Sequence, residues 1–215
     1  MTRRMVYGFG LWLTIACTAM TVASIIEPRW VSYAPNGTRE FSMGLHRGCS
    51  RVTGVCHQFP GVDDCVGDKL GFCSMWRTVG FLISLAVMVE LCTFVSFVVT
   101  MAGGVQRRST GWKVVCPLLL ASGLIQCAGM ALVAFLYDHD DRFFEGWYLD
   151  LSWTLVTISW TILVLSSLGM AASALYLPPE DDYELIPGDN NRLEIEEDDQ
   201  LNSRIGAWND GYQRE

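Results

Sequence analysis

The sequence predicts an all-α membrane protein, a four-helix transmembrane bundle with a small disulfide-held extracellular β-sheet. Three observations predict this class. Hydrophobic residues make up 51% of the 215-residue chain, and charged residues only 18%. The hydrophobic residues are gathered into four long blocks, whereas a soluble domain interleaves them with charge. Residues 178–215 hold 12 acidic and 3 basic side chains, so this segment accounts for the whole net charge of −8.

Each apolar block is long enough to cross a bilayer, because a hydrocarbon core about 30 Å thick needs roughly 20 apolar residues in a helix. Backbone groups in lipid must be hydrogen-bonded internally, so we predict helices for all four blocks. A buried core helix of a soluble protein would explain one such block, but not four in a chain of this length. The predicted membrane domain, residues 1–177, has helices at about 6–26, 78–102, 114–137 and 149–177.

The charges of the short links predict that both termini lie in the cytosol. Arg3 and Arg4 precede the first block, and the link between the second and third blocks contains three basic residues and no acidic one. The link 138–147 has four acidic residues and a single arginine. The loop 27–77 and the link 138–148 therefore face outward. Aromatic residues fall at the predicted boundaries, with Trp30, Trp76, Trp147 and Tyr148 outside and Trp112 and Tyr176 inside.

A cleaved signal peptide is the alternative interpretation of the first block. Arg3-Arg4, an apolar run and the small residues Ala23-Ser24 fit that pattern. The run is about 20 residues long, which exceeds the usual signal core of roughly 7–15. We therefore expect it to remain as the first helix.

The outer loop 27–77 is rich in strand-forming and turn-forming residues. Its segments Trp30–Tyr33, Glu40–Leu45 and Arg51–Val55 are predicted to be short strands, separated by glycine-containing turns. The loop also contains Asn36-Gly37-Thr38, a predicted glycosylation site.

Four of the eight cysteines, Cys49, Cys56, Cys65 and Cys73, lie in this loop. An even set on the oxidising side of a membrane predicts two disulfides. Three connectivities are possible, and Cys49–Cys56 with Cys65–Cys73 is the most local. A zinc site that combines these cysteines with His46 or His57 is the alternative, but the loop has no CxxC spacing. We expect no metal and no other cofactor.

A signature in the outer loop resembles that of the claudin superfamily. Trp30 follows the first span, and Gly44-Leu45-His46-Arg47-Gly48-Cys49 and then Cys56 are similar to the pattern W…GLW-x-x-C…C. The superfamily includes claudins, peripheral myelin proteins, calcium-channel gamma subunits and LHFP-like proteins. His46 replaces the second tryptophan, and Cys65 and Cys73 are additional, as in a divergent fungal PalI/SUR-type branch.

The resemblance implies a left-handed four-helix bundle capped by a small outer sheet. It implies that Cys49 and Cys56 tie two strands together. It also implies that Trp30 anchors the sheet at the lipid surface.

Two polar residues lie near the midpoints of neighbouring apolar blocks, Glu90 in the second and Gln126 in the third. A charge at the bilayer centre costs at least about 2.5–3.5 kcal/mol. We therefore expect a protonated Glu90 that faces the bundle and bonds to Gln126 or to a hydroxyl such as that of Thr14 or Thr161. A packing hydrogen bond is the favoured interpretation, and an element of an ion or proton pathway is the alternative.

The sequence disfavours two functional classes. No stripe of basic residues is available to neutralise phosphates, which excludes a basic nucleic-acid binder. No phosphate-binding loop, GxSxG or HExxH motif is present, so we predict that the protein is not an enzyme.

The tail, residues 178–215, is acidic and poor in apolar residues, so we predict that it is disordered in the cytosol. Tyr183-Glu184-Leu185-Ile186 matches the YxxΦ pattern that endocytic adaptors bind, with Tyr183 and Ile186 as its defining positions. The last residues are Gln213-Arg214-Glu215, which lack the hydrophobic terminal residue that a PDZ domain binds. An adaptor is therefore a predicted partner of the tail, and a PDZ scaffold is not.

These features favour a non-enzymatic plasma-membrane protein that organises membrane domains or cell-surface contacts through its outer loop. Its partners would be the lipid bilayer and either further copies of itself or another membrane protein. The alternative is an auxiliary regulatory subunit of a channel, receptor or transporter.

Overall fold

The computed structural model describes residues 3–35, 37–61, 65–66 and 70–176. The predicted glycosylation site Asn36 and the predicted sorting residues Tyr183 and Ile186 lie outside this range, as does the rest of the tail. The described residues form four long helices and one antiparallel sheet of short strands, which confirms the predicted fold class.

Each of the four helices is long and apolar enough to cross a membrane. A helix rises about 1.5 Å per residue, so even the shortest one, with 24 residues, exceeds a 30 Å hydrocarbon core. The helices are α1 (Arg3–Ile26), α2 (Leu70–Ala102), α3 (Gly104–His139) and α4 (Leu151–Tyr176).

Two helices begin earlier than hydropathy predicts. α2 begins at Leu70 rather than Thr78, and α3 begins at Gly104 rather than Val114, so only Gly103 separates α2 from α3. Hydropathy detects only the apolar part of a helix. The polar segment of α3 before Val114 contains glutamine and arginine, which are good helix formers. The basic link is therefore helical rather than a loop.

The sheet joins the outer loop to the link between α3 and α4. Its strands lie in the spatial order β4-β3-β2-β1-β5, and every neighbouring pair is antiparallel. Val31 on β1 lies opposite Met43 on β2 and opposite Leu149 on β5. The strands are β1 (Val31–Tyr33), β2 (Phe41–Met43), β3 (Arg47–Ser50), β4 (Cys56–Gln58) and β5 (Trp147–Leu149).

The predicted strands Trp30–Tyr33 and Glu40–Leu45 contain β1 and β2, but the prediction for Arg51–Val55 is wrong. That segment is the turn between β3 and β4, where Gly54 has a φ of 70° and its N–H donates to the Ser50 carbonyl. A positive φ favours glycine. The sequence analysis also missed β5, which displaces the start of α4 from Leu149 to Leu151.

Two apolar clusters fill the protein, one at the sheet end and one at the opposite end of the bundle. Along the helices, buried polar side chains lie between these two clusters. Four of them, one from each helix, are linked by hydrogen bonds between their side chains: Thr21, Glu90, Gln126 and Ser159. We refer to these four residues as the polar layer.

Candidate functional site

Two disulfides fix the outer loop. Cys49 on β3 and Cys56 on β4 occupy directly opposed positions and are bonded. The second disulfide joins Cys65 to Cys73 in the first turns of α2. The most local of the three connectivities is therefore confirmed. Because all four thiols are oxidised, the alternative zinc site built from them is wrong.

Trp30 belongs to the protein core rather than to the surface. Its side chain is fully buried, its backbone N–H donates to the Met43 carbonyl at 2.8 Å, and its indole N–H donates to the Ser24 carbonyl at 2.7 Å. Trp76 is also fully buried and stacks on Phe72. The expectation that Trp30 anchors the sheet at the lipid surface is therefore wrong, because its side chain, like that of Trp76, lies in the apolar cluster at the sheet end.

Gly44 and Leu45 of the signature position the sheet on the helices. A Cβ atom at Gly44 would lie 2.5 Å from the Pro28 Cα, so only glycine fits this close approach of two backbones. The Gly44 carbonyl accepts a hydrogen bond of 3.2 Å from the Trp76 indole N–H. Leu45 is buried in the cluster at the sheet end. Gly44 and Leu45 therefore have structural roles at the junction of sheet and bundle.

Asp150, directly before α4, binds two arginines of the outer loop. Its carboxylate accepts hydrogen bonds from Arg29 Nε at 3.2 Å and Nη2 at 3.1 Å, and from Arg39 Nη1 at 3.3 Å. The Ser32 hydroxyl and the Leu151 N–H donate to it at 2.7 Å each. We call Asp150, Arg29, Arg39 and Ser32 the Asp150 cluster.

The electrostatics of this cluster favour the charged forms. Burial alone would raise the pKa of Asp150, but hydrogen bonds from Arg29, Ser32 and the Leu151 N–H outweigh it and lower that pKa. The hydrogen bond from Arg29 to Asp150 also raises the pKa of Arg29 above its already high ordinary value. The Asp150 cluster is therefore an ion-paired clamp between the outer loop and the start of α4.

No pattern in the sequence predicts the Asp150 cluster. Arg29 and Arg39 lie 121 and 111 residues before Asp150, so no local pattern connects them. The one available signal is the aspartate at the start of an apolar block, where a carboxylate stabilises a helix N-terminus.

The polar layer brings together the two intramembrane polar residues that the sequence predicts. Gln126 Nε2 donates to Glu90 Oε1, and the Thr21 hydroxyl donates to the same oxygen at 3.2 Å. Gln126 Nε2 also lies 3.1 Å from the Thr21 Oγ1, and the Thr21 and Ser159 hydroxyls are 3.1 Å apart. All four side chains are fully buried.

The pairing of Glu90 with Gln126 is confirmed, but the hydroxyls proposed for it are wrong. Thr14 and Thr161 instead donate to carbonyls of their own helices. Thr21 is the hydroxyl that reaches Glu90, because it lies two helical turns beyond Thr14 along α1. Within the described residues, the groups that hydrogen-bond to Glu90 are all neutral.

Apolar side chains are exposed at the end of the sheet that lies away from the helices. β3 runs from Arg47 near the bundle to Ser50, so the following turn is at this far end. The link before β5 reaches the same end of the strands but on the opposite side of the sheet, where the Phe144 ring contacts Tyr33. We call Val52, Val55 and Phe144 the tip residues; their exposed fractions are 71%, 60% and 59%.

No family model matches the chain, and no curated protein matches its sequence. The resemblance to the claudin superfamily therefore stays a proposal that rests on the signature residues.

Proposed function

We propose that the protein is a non-enzymatic, claudin-like plasma-membrane protein with four spans, which organises cell-surface contacts through its outer loop. Four helices that are each able to cross a membrane support a multi-pass protein. The distribution of basic residues in the links supports a cytosolic location for both termini and an outer location for the sheet.

The observation that carries this proposal is the exposure of the three tip residues. Exposed apolar groups that gather on one part of a protein surface mark interaction sites, and the three tip residues lie at the same end of the strands. The Cys49–Cys56 disulfide closes the hairpin that presents Val52 and Val55, and the Asp150 cluster ties the link containing Phe144 to the same sheet. A surface held in one conformation loses less entropy when it binds a partner.

The partner that fits this surface is a second copy of the chain on the same or a facing membrane. The tip residues are uncharged, and the outer loop around them contains both acidic and basic side chains. Two identical tips therefore do not repel one another strongly. The auxiliary-subunit function is the second candidate. It requires a channel, receptor or transporter to bind the chain in preference to a second copy of the chain itself.

The test measures accumulation of the tagged full chain at contacts between two expressing cells, with surface labelling to count exposed copies. Wild type is expected to accumulate there, and Val52→Asn combined with Val55→Asn to lower that accumulation several-fold at equal surface abundance. Val66→Asn is the matched control, because Val66 is equally exposed but lies outside the tip. Absence of wild-type accumulation, together with stoichiometric co-purification of a channel or receptor, would favour the auxiliary subunit instead.

A further inference from the structure

The sheet has two edge strands, β4 and β5, and their outer sides differ. At the β5 edge, the Trp147 carbonyl accepts a hydrogen bond of 2.8 Å from the Tyr137 hydroxyl, and the Trp147 N–H donates to the Phe144 carbonyl. The outward groups of β5 are therefore satisfied within the chain. At the β4 edge, all three residues of the strand are exposed. An exposed edge strand is a template on which another strand can pair.

The hydrogen-bond register between β3 and β4 decides which backbone groups of β4 point outward. The Phe59 N–H, directly after β4, donates to the His46 carbonyl, directly before β3. Hydrogen-bonded and non-hydrogen-bonded pairs alternate along an antiparallel ladder. His57 therefore also bonds to β3, whereas the N–H and carbonyl groups of Cys56 and Gln58 point away from it. Among the described residues, no group is bonded to these outward N–H and carbonyl groups.

The outward groups of β4 are complementary to those of a second copy of β4. When His57 lies opposite its own counterpart in an antiparallel pair, Cys56 of each copy faces Gln58 of the other. Each such pair exchanges both of its N–H···O bonds. A register moved in one direction brings in Pro60, which has no N–H, and a register moved in the other brings in Gly54 of the turn. The register centred on His57 therefore uses strand residues alone.

The composition and position of β4 also favour pairing with another copy. The strand contains no lysine, arginine, acidic residue or proline, which are the residues that commonly keep an edge strand from pairing. The Cys49–Cys56 disulfide already holds β4 against β3, so pairing orders little further backbone. Val55, a tip residue, directly precedes β4, so the edge continues the surface proposed for cell contact. A strand of this length supplies few hydrogen bonds, so it acts together with the tip residues.

We propose that the β4 edge pairs antiparallel with the β4 edge of a second copy of the chain in a facing membrane. The inference deepens the contact function proposed above and rests on it. Antiparallel pairing of identical edges places a two-fold axis perpendicular to the sheet. β4 runs from the far end of the sheet back to the bundle, where the following Phe59 packs on Trp76 of α2. The axis therefore inverts the second copy, whereas copies in one membrane share their orientation.

The test is a charge exchange at His57 in the full chain, measured as accumulation at contacts between two separately transfected cell populations. The His57 side chain is exposed, so the fold can accept a charge there. When both populations express His57→Asp, or both express His57→Lys, accumulation is expected to fall about fivefold, because like charges directly opposite each other destabilise a strand pair. When His57→Asp cells face His57→Lys cells, wild-type accumulation is expected to return.

Val66 provides the matched control, because it is also exposed but lies outside the sheet. Val66→Asp and Val66→Lys should keep wild-type accumulation in every combination. A second pair of variants tests the backbone bonds. Gln58→Pro removes an outward N–H at an edge position that tolerates proline and should lower accumulation about fivefold, whereas Gln58→Ala keeps the N–H and should not. Surface labelling ensures that variants are compared at equal abundance.

Wild-type accumulation by the His57 variants in every combination would overturn the edge pairing and leave the contact function standing. Equal loss with like and with opposite charges would also overturn it, because residue 57 would then not face its counterpart. Recovery that requires both charge variants in the same cell would place the pair within one membrane and overturn the inverted arrangement. Absence of wild-type accumulation would instead contradict the contact function itself.

Discussion

Two acidic side chains are withdrawn from water in this protein, and they have opposite kinds of hydrogen-bond partner. Asp150 receives two guanidinium groups at the sheet end of the bundle. Glu90, in the polar layer, receives hydrogen bonds from an amide and a hydroxyl. An arginine near a helix end can keep part of its side chain in water, as Arg29 and Arg39 do, with 32% and 21% of their side chains exposed. A partner of Glu90 at mid-helix has no water to reach, so neutral groups are less costly there.

The comparison predicts that one chemical change has unequal effects at the two sites. Asp150→Asn removes the charge that balances two arginines, and we expect a loss of about 2–3 kcal/mol in the free energy of unfolding. This is less than the roughly 3–5 kcal/mol for removing one partner of a fully buried pair, because both arginines keep contact with water. Thermal unfolding in mild detergent measures the loss. Asp141→Asn changes an exposed carboxylate in the same link and should stay within about 0.5 kcal/mol of wild type.

Acid should remove the difference between wild type and Asp150→Asn. A carboxylate whose pKa is lowered in the folded state stabilises the fold above its unfolded pKa, which is about 3.9 for aspartate. That stabilisation is lost as the pH falls through the lower, folded pKa. Unfolding measured from pH 7 to pH 3 should give a constant difference between the two proteins down to about pH 5 and a shrinking one below about pH 4. A difference that stays constant to pH 3 would mean that the charge of Asp150 contributes nothing.

The two sites also differ in how far the sequence predicts them. Glu90 and Gln126 lie near the midpoints of consecutive antiparallel helices, so depth alone pairs them. Thr21 was missed because side-chain direction, rather than depth, decides which hydroxyl on α1 faces inward. The Asp150 cluster depends on β5 pairing with β1, and a strand of three residues has too weak a local pattern to predict that pairing.

The same reasoning explains which parts of the fold were predictable. Hydropathy predicts four helices because each contains an uninterrupted apolar segment, but it does not mark the basic turns with which α3 begins. It also misses the first turns of α2, whose Phe72 and Trp76 pack in the cluster at the sheet end. Alternation and turn residues predict β1 and β2. They fail for Arg51–Val55, where valines at both ends of a glycine-containing turn have the composition of a strand. Trp30 was misplaced because an interfacial and a buried tryptophan have the same sequence signal at the end of an apolar block.

Substitutions of Glu90 in the polar layer test the same contrast through smaller expected changes in stability. Glu90→Gln keeps the size and the hydrogen-bond acceptor that Gln126 and Thr21 use, so we expect a change of less than about 0.5 kcal/mol in unfolding free energy. Glu90→Leu removes both hydrogen bonds and should cost about 1–2 kcal/mol, since such bonds in membrane proteins contribute about 0.6 kcal/mol on average and at most about 1.7. Unfolding in mild detergent at pH 7 measures both variants.

Thr161→Val is the control for the loss of a hydroxyl outside the polar layer, because Thr161 is exposed and donates only to the Thr157 carbonyl of its own helix. It should leave stability unchanged within about 0.5 kcal/mol. If Glu90→Gln is as harmful as Asp150→Asn, Glu90 carries a charge that its neutral partners do not balance, and the contrast between the two carboxylates fails. If Glu90→Gln is neutral and Glu90→Leu is not, hydrogen bonding between the helices accounts for the geometry of the polar layer without any need for ionisation. The unequal response to one amide substitution at two depths would then show that the bundle keeps ion pairs at its end and neutral hydrogen bonds at its centre.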